Sequence, residues 1–257
     1  MSQVTDTSID TATLPPVGLR VRGAHLAWHQ QVLFDGLDLD LQAGRWTCLL
    51  GPSGVGKSML LRLILGLDGT QNNADTISCS DGLPLDGRVA FMAQRDFLLP
   101  WLSVLDNVLI GSRIRNDTGS PEKALELLAR TGLADVADAM PDTLSGGMRQ
   151  RVAIARTLME DRPIVLMDEP FSALDAITKI KLQNLAAELL ANRTVLLVTH
   201  DPLEALRLGH AIHVMNGRPA ALGEAIEPHH LPPRPVDDPE VLEHQGELLR
   251  QLAEAAQ

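Results

Sequence analysis

The chain contains no tyrosine, four phenylalanines, three tryptophans and two cysteines among its 257 residues. Cys48 and Cys79 are too few to form a disulfide framework, and a chain of this length buries enough apolar surface to fold without such staples. The cysteine count therefore reads as that of a cytoplasmic protein, and Cys48, inside the apolar run Trp46 to Leu50, reads as a buried strand residue. Basic residues are also in deficit, 22 Lys and Arg against 33 Asp and Glu, for a net charge of -11. That balance excludes a general nucleic-acid binder, which needs clustered cations to meet phosphates. No apolar run approaches the roughly 18 residues that would mark a membrane-spanning helix. The first sixteen residues are polar and acidic, with neither the basic start nor the apolar centre of a signal peptide. A membrane role would have to run through a partner.

What is present is an alternation of short apolar runs with longer helical patterns. Residues 1–16 read as a flexible tail. Val17 to Leu26 and Val32 to Leu41 alternate apolar with polar residues as half-buried strands do. Trp46 to Leu50, Arg88 to Met92, Pro163 to Met167 and Thr194 to Thr199 read as strands, with a further strand at Ile77. Helices are expected at Lys57 to Leu67, Glu122 to Arg130, Ser145 to Glu160 and Ala176 to Asn192, with another starting at Asp201-Pro202. The stretch from Phe97 to Met140 is helical in pattern, and a hairpin is expected around Asn216-Gly217. Leu231 to Pro235 reads as a Pro-rich linker. Asp238-Pro239 opens a last helix with Val241, Leu242, Leu248, Leu249 and Leu252 largely on one face. Strands alternating with helices predict an α/β fold with a mostly parallel sheet.

Four motifs carry chemistry. Gly51-Pro52-Ser53-Gly54-Val55-Gly56-Lys57-Ser58, followed by Met59, lies between a strand and a helix and reads as a P-loop. Its glycines let successive backbone N–H groups face one anion, and the helix start adds a positive dipole end. Lys57 can reach the outer phosphates of ATP, and the Ser58 hydroxyl can ligate Mg2+. Ile164 to Glu169 is an apolar strand ending in two carboxylates; Asp168 suits the magnesium and Glu169 suits the attacking water. His200 follows another strand, at the end where open α/β sheets bind ligands. Leu144-Ser145-Gly146-Gly147-Met148 precedes a helix; alone it reads as an N-cap, Ser145, with a flexible lead-in.

Together these residues resemble the ATP-binding subunit of an ABC transporter, over about residues 17–225. Leu144 to Met148 resembles the family signature, with Met148 where Gln is usual. Gln94 matches the Q-loop residue, a magnesium and water sensor; Ser172 to Asp175 matches the D-loop, and His200 the histidine that contacts the γ-phosphate. In the absence of tyrosine, Trp28 is the candidate for the aromatic that stacks on adenine. The resemblance implies a P-loop NTPase core with an antiparallel β subdomain and an inserted α-helical subdomain, about residues 95–145, within an ATPase domain of residues 17–228. Residues 229–257 then form a linker and helix with no assigned role. It also implies a head-to-tail dimer, most simply a homodimer, in which Ser145, Gly146 and Gly147 complete the partner's ATP site.

Asp96 to Val108 is similar to the segment after the Q-loop in the nitrate, sulfonate and taurine importer group, and Asp201 to His210 leans toward that group's thiamine-precursor branch. Pro141-Asp142-Thr143 departs from the more polar and aromatic lead-in common before the signature. The resemblance thus implies a peripheral ATPase on the cytoplasmic face of the inner membrane, bound to an integral permease and served by an extracytoplasmic solute-binding protein. The rival expectation is a soluble ABC ATPase with a regulatory or assembly role and no permease.

Overall fold

The computed structural model describes residues 15–28, 31–67, 76–117 and 119–255. Most of the expected N-terminal tail therefore lies outside the described residues. Strands β1 (Leu19–Trp28) and β2 (Gln31–Leu41) pair antiparallel and bury alternate side chains, as their sequence pattern dictates. Strand β3 (Trp46–Leu50) is buried throughout and leads through the P-loop into helix α1 (Lys57–Ile64). Strand β4 (Ile77–Cys79) joins the other edge of β1, completing the antiparallel subdomain. Strand β5 (Val89–Met92) begins the next segment, and three helices follow, α2 (Val104–Val108), α3 (Ile110–Ile114) and α4 (Pro121–Arg130). Next come α5 (Gly146–Met159), β6 (Ile164–Asp168), α6 (Ala176–Leu189), β7 (Thr194–Val198) and α7 (Pro202–Leu208). The chain closes with β8 (Ala211–Asn216), β9 (Ala221–Leu222) and α8 (Pro239–Ala255).

The main sheet runs β5-β6-β7-β3-β8-β9, parallel except for the last pair. Both of its faces are covered, which explains why β3, β6 and β7 read as unbroken apolar runs. On one face Cys48, Leu50, Val165 and Met167 pack with α5 and the helical segment; on the other Leu49, Leu166 and Leu196 pack with α1 and the antiparallel subdomain. Each fully buried Leu or Ile contributes about 1.5–3 kcal/mol through removal from water. Cys48 is fully buried, and burial pushes its thiol well above the usual range.

Several expectations need adjusting. The helix after the P-loop ends at Ile64, because Gly66 takes a left-handed conformation that turns the chain out. The stretch from Phe97 to Met140 is broken into α2, α3, α4 and single 3-10 turns. Buried Asn107 holds the segment before α2 by donating to the carbonyls of Leu99, Leu102 and Ser103 and accepting from the Leu99 N–H. The Pro-rich stretch near Leu231 is no loose linker. Arg234 is 1% exposed and donates to the carbonyls of Leu206, Gly209 and Pro228, docking the segment on the end of α7. On α8, Val241 and Leu248 are buried, but Leu242 and Leu249 face solvent, so the apolar face is narrower than expected.

Candidate active site

The P-loop is where glycine is needed rather than convenient. Gly51, Gly54 and Gly56 all have positive φ. A Cβ on Gly51 would lie 2.5 Å from the Met215 carbonyl oxygen, and one on Gly56 would lie 2.8 Å from the Phe34 ring. Lys57 is buried and its ammonium donates to the carbonyls of Gly51 (2.7 Å) and Pro52 (3.0 Å). Burial pushes its pKa down, and the nearby Glu169 and Asp168 oppose that shift. The lysine is thus held across the loop, beside two carboxylates, where an anion can replace the carbonyls as its partner.

Strand β6 delivers the acids. Asp168 is its last residue, 6% exposed, and accepts a hydrogen bond from the Ser58 hydroxyl. Burial raises its pKa, and its Oδ1 is buried without a partner. An orphaned carboxylate oxygen beside a hydroxyl is a donor set that suits a hard divalent cation. Glu169 follows in a left-handed conformation (φ 49°), unusual outside glycine, with its N–H donating to the Val198 carbonyl at 2.8 Å. Backbone strain of this kind clusters at ligand and active sites. The Glu169 carboxylate is met by two side chains. Gln94 Nε2 donates to its Oε2 at 3.1 Å, and His200 Nδ1 lies 3.2 Å from the same oxygen. Gln94 follows β5 and His200 follows β7, the two neighbours of β6, so parallel pairing sets all three polar residues side by side.

The structure therefore gathers Gly51 to Ser58, Asp168, Glu169, Gln94 and His200 at one end of the sheet. Trp28 ends β1, pairs in register with Gln31, and is about half exposed. A small cleft between Gln31, Leu33, Gly54 and Val55 puts the start of β2 against the P-loop, and Arg218 lines it as well. Ser145, Gly146 and Gly147 stand apart from this group. Ser145 caps α5 by accepting from the Met148 N–H (3.2 Å), and Gly147 lies against the Ala173 carbonyl of the turn after β6. Among the described residues, no hydrogen bond or ion pair joins this segment to the P-loop.

The sequence reading missed the residues that tie these parts together. Gln150 of α5 donates to the Pro170 carbonyl at 2.7 Å, fixing the signature helix to the turn after Glu169. Arg149 pairs with the Asp96 carboxylate, and Arg156 donates to the carbonyls of Asp96 and Phe97. These bonds fasten the segment after Gln94 to α5. No sequence signal marks these bonds, because most of the partners are main-chain carbonyls, which every residue carries.

The family profile described as "ABC transporter" matches residues 34–172. A Haemophilus influenzae ABC transporter ATP-binding protein is 42% identical over 91% of this chain and 98% of its own length. The chain belongs to the ABC transporter family. An aliphatic sulfonates import ATP-binding protein of Pseudomonas syringae is 39% identical over 94% of this chain and 99% of its own. Among solved structures, the dimeric bacterial ABC transporter cassette MJ0796 superposes with a TM-score of 0.69 at 28% identity, covering 82% of this chain and 98% of that one. A second structure of that cassette, in a post-hydrolysis state bound to ADP and Pi, gives the same TM-score at 29% identity. The protein is an ABC ATPase, and the mixed sheet, antiparallel subdomain and helical segment are those of an ABC cassette.

Proposed function

We propose that two copies of this chain close on two ATP molecules and power a permease that imports an aliphatic sulfonate or a similar small solute. The observation that carries the reading is the convergence of Gln94 and His200 on Glu169, beside Lys57 and the P-loop. Glu169 orients and deprotonates the attacking water. Lys57 and the loop N–H groups hold the phosphates, and His200 contacts the γ-phosphate. Trp28 stacks on the adenine. A magnesium ion held by Ser58 and Asp168, with Gln94 nearby, would neutralise charge on the outer phosphates. The separation of Ser145 to Gly147 from the P-loop supports a site shared between two chains, each signature serving the other's nucleotide.

Coupling to a permease is supported by the segment after Gln94. Phe97 and Trp101 are 61% and 69% exposed there, and Arg149 and Arg156 brace that segment against α5. Exposed aromatics on a braced loop are what a protein interface uses as anchors. The sulfonate assignment rests on relatives named for sulfonate import and would place the chain at the cytoplasmic face of the membrane, with a solute-binding protein on the far side.

Replacing Glu169 by Gln tests the site. ATP affinity should stay within a few-fold of wild type while turnover falls by at least about 100-fold. The same variant should dimerise when ATP is added, as seen by size-exclusion chromatography. Wild-type turnover would refute the role of Glu169, and a monomer at saturating ATP would refute the shared site.

A further inference from the structure

A second charged cluster is built away from the nucleotide site, between α6 and α7. Lys179 lies four residues after Asp175, the residue that caps α6 and ends the turn Ser172 to Asp175. Its ammonium donates to Asp201 Oδ2 at 2.9 Å and lies 3.6 Å from Glu204 Oε2. Asp201 directly follows His200 and caps α7 by accepting from the N–H groups of Leu203 and Glu204. Glu204 is 2% exposed; its Oε2 accepts from Gln183 at 3.3 Å, and its Oε1 is buried without a partner. Arg207 is held by Gln183 and Asn184 of α6, and a cleft of about 250 Å³ opens between the two helices beside Lys179 and Glu204.

An apolar pair would fill this space at lower cost, because buried ion pairs often stabilise no better than packed hydrocarbon. What the ion pairs add is direction. They bind the residue beside His200 to the helix that begins at the Ser172–Asp175 turn, and that turn also touches the signature at Gly147. We propose that Lys179 and Glu204 are positioning residues that lock the His200 loop to the Ser172–Asp175 turn, so that phosphate contact at His200 is felt at the surface that meets the second chain. The inference rests on the γ-phosphate role of His200 given above.

The cluster is also built to respond to protons. Glu204 faces Lys179 and Gln183 from α6, Asp201 at the cap of α7 and Arg207 on it, Cys48 of β3, and Thr199 just after β7. Burial raises its pKa from 4.5 to about 7. Below that pH the carboxyl is neutral and its attraction for Lys179 is lost; above it the lock is complete.

Steady-state ATPase assays on the purified full chain test this. Lys179→Met should lower kcat about 10-fold with the KM for ATP within 2-fold, and Lys179→Arg should restore more than half of the loss. Wild-type kcat should fall as pH drops through about 7, and Glu204→Gln should lack that limb. A Lys179→Met enzyme with wild-type kcat overturns the proposal, as does a loss that Arg does not rescue. If Glu204→Gln does not fold, the Lys179→Met and Lys179→Arg pair, at a side chain that still reaches solvent (21% exposed), decides the matter. His200→Ala separates the two levels: an active His200→Ala enzyme defeats the His200 role itself, whereas an inactive one beside a fully active Lys179→Met enzyme defeats only the coupling.

Discussion

Arg234 holds the C-terminal segment on the cassette, and replacing it by Met measures how firmly. The methionine keeps most of the volume but removes donors to three carbonyls, those of Leu206 (2.6 Å), Gly209 (2.8 Å) and Pro228 (3.2 Å). Two of these belong to the end of α7, where helix carbonyls lack partners and carry partial negative charge. Hydrogen bonds from a charged donor are each worth about 1.5–3 kcal/mol. Against their loss stands the recovered cost of burying a guanidinium whose Nε finds no partner. The bonds that use the main chain of residue 234 remain: its N–H donates to the Arg207 carbonyl, and the Arg207 side-chain Nε donates to its carbonyl. The net expectation is a loss of about 2–4 kcal/mol. For a domain of this size that lowers Tm by about 5–15 °C. Thermal unfolding gives the number, and limited proteolysis should cut residues 231–255 faster in the variant. ATP affinity should be unchanged, because none of these contacts reaches the P-loop. A Tm within about 1 °C of wild type would show that the arginine is not what docks the segment.

Gly51→Ala should weaken binding of a fluorescent ATP analogue by at least about 10-fold, because its Cβ would press on the Met215 carbonyl oxygen at 2.5 Å and φ is 152°; unaltered affinity would mean the loop has slack that the geometry denies. Asp168→Asn should leave metal-free ATP binding intact and abolish the tightening that added magnesium brings, read by titration calorimetry. His210 supplies a pH test. Its Nδ1 accepts from the Trp46 N–H at 3.0 Å, and burial, reinforced by Arg45 and Arg234, lowers its pKa from 6.5 to about 4. The folded value lies below the unfolded one, so the contribution is present above about pH 6.5 and is lost as pH falls toward 4. The gap corresponds to roughly 3 kcal/mol, reduced to about 1–2 for a half-buried group. His210→Gln should therefore show a flatter fall of Tm between pH 7 and 5, and an identical slope would remove His210 from the acid response.

The nucleotide loop was legible because its physics is local: eight contiguous residues carry both the glycines that permit positive φ and the lysine and serine that act. Asp168, Glu169 and His200 were legible as polar residues ending apolar runs. That Gln94 and His200 both reach one oxygen of Glu169 was not, because it depends on β6 lying between β5 and β7, and strand order leaves no periodic trace in the sequence. Arg234 was hidden for a related reason. Its partners are carbonyl oxygens, which every residue carries, so Pro-rich composition alone read as a linker. The last helix misled in the opposite direction: a leucine at 242 or 249 satisfies a helical repeat whether or not anything lies across from it. Cluster formation by Lys179 and Glu204 likewise needed two helices placed side by side.

Chain distance and spatial distance are uncoupled around Glu169. Seventy-five residues separate it from Gln94 along the chain, yet the two side chains are 3.1 Å apart. The hydrogen-bond ladder of the parallel strands works as a ruler marked in steps of about 3.3 Å, and a slip of one mark would turn every side chain of a strand to the opposite face. Deletions of one residue inside β5, β6 or β7 should thus be ruinous. The helices α2 to α4, between Gln94 and Ser145, lie outside that ladder, whereas α5 is bonded to both of its ends through Arg149, Arg156 and Gln150. The cassette is thereby free to remodel the part that meets other proteins while its chemistry is held to a fixed gauge.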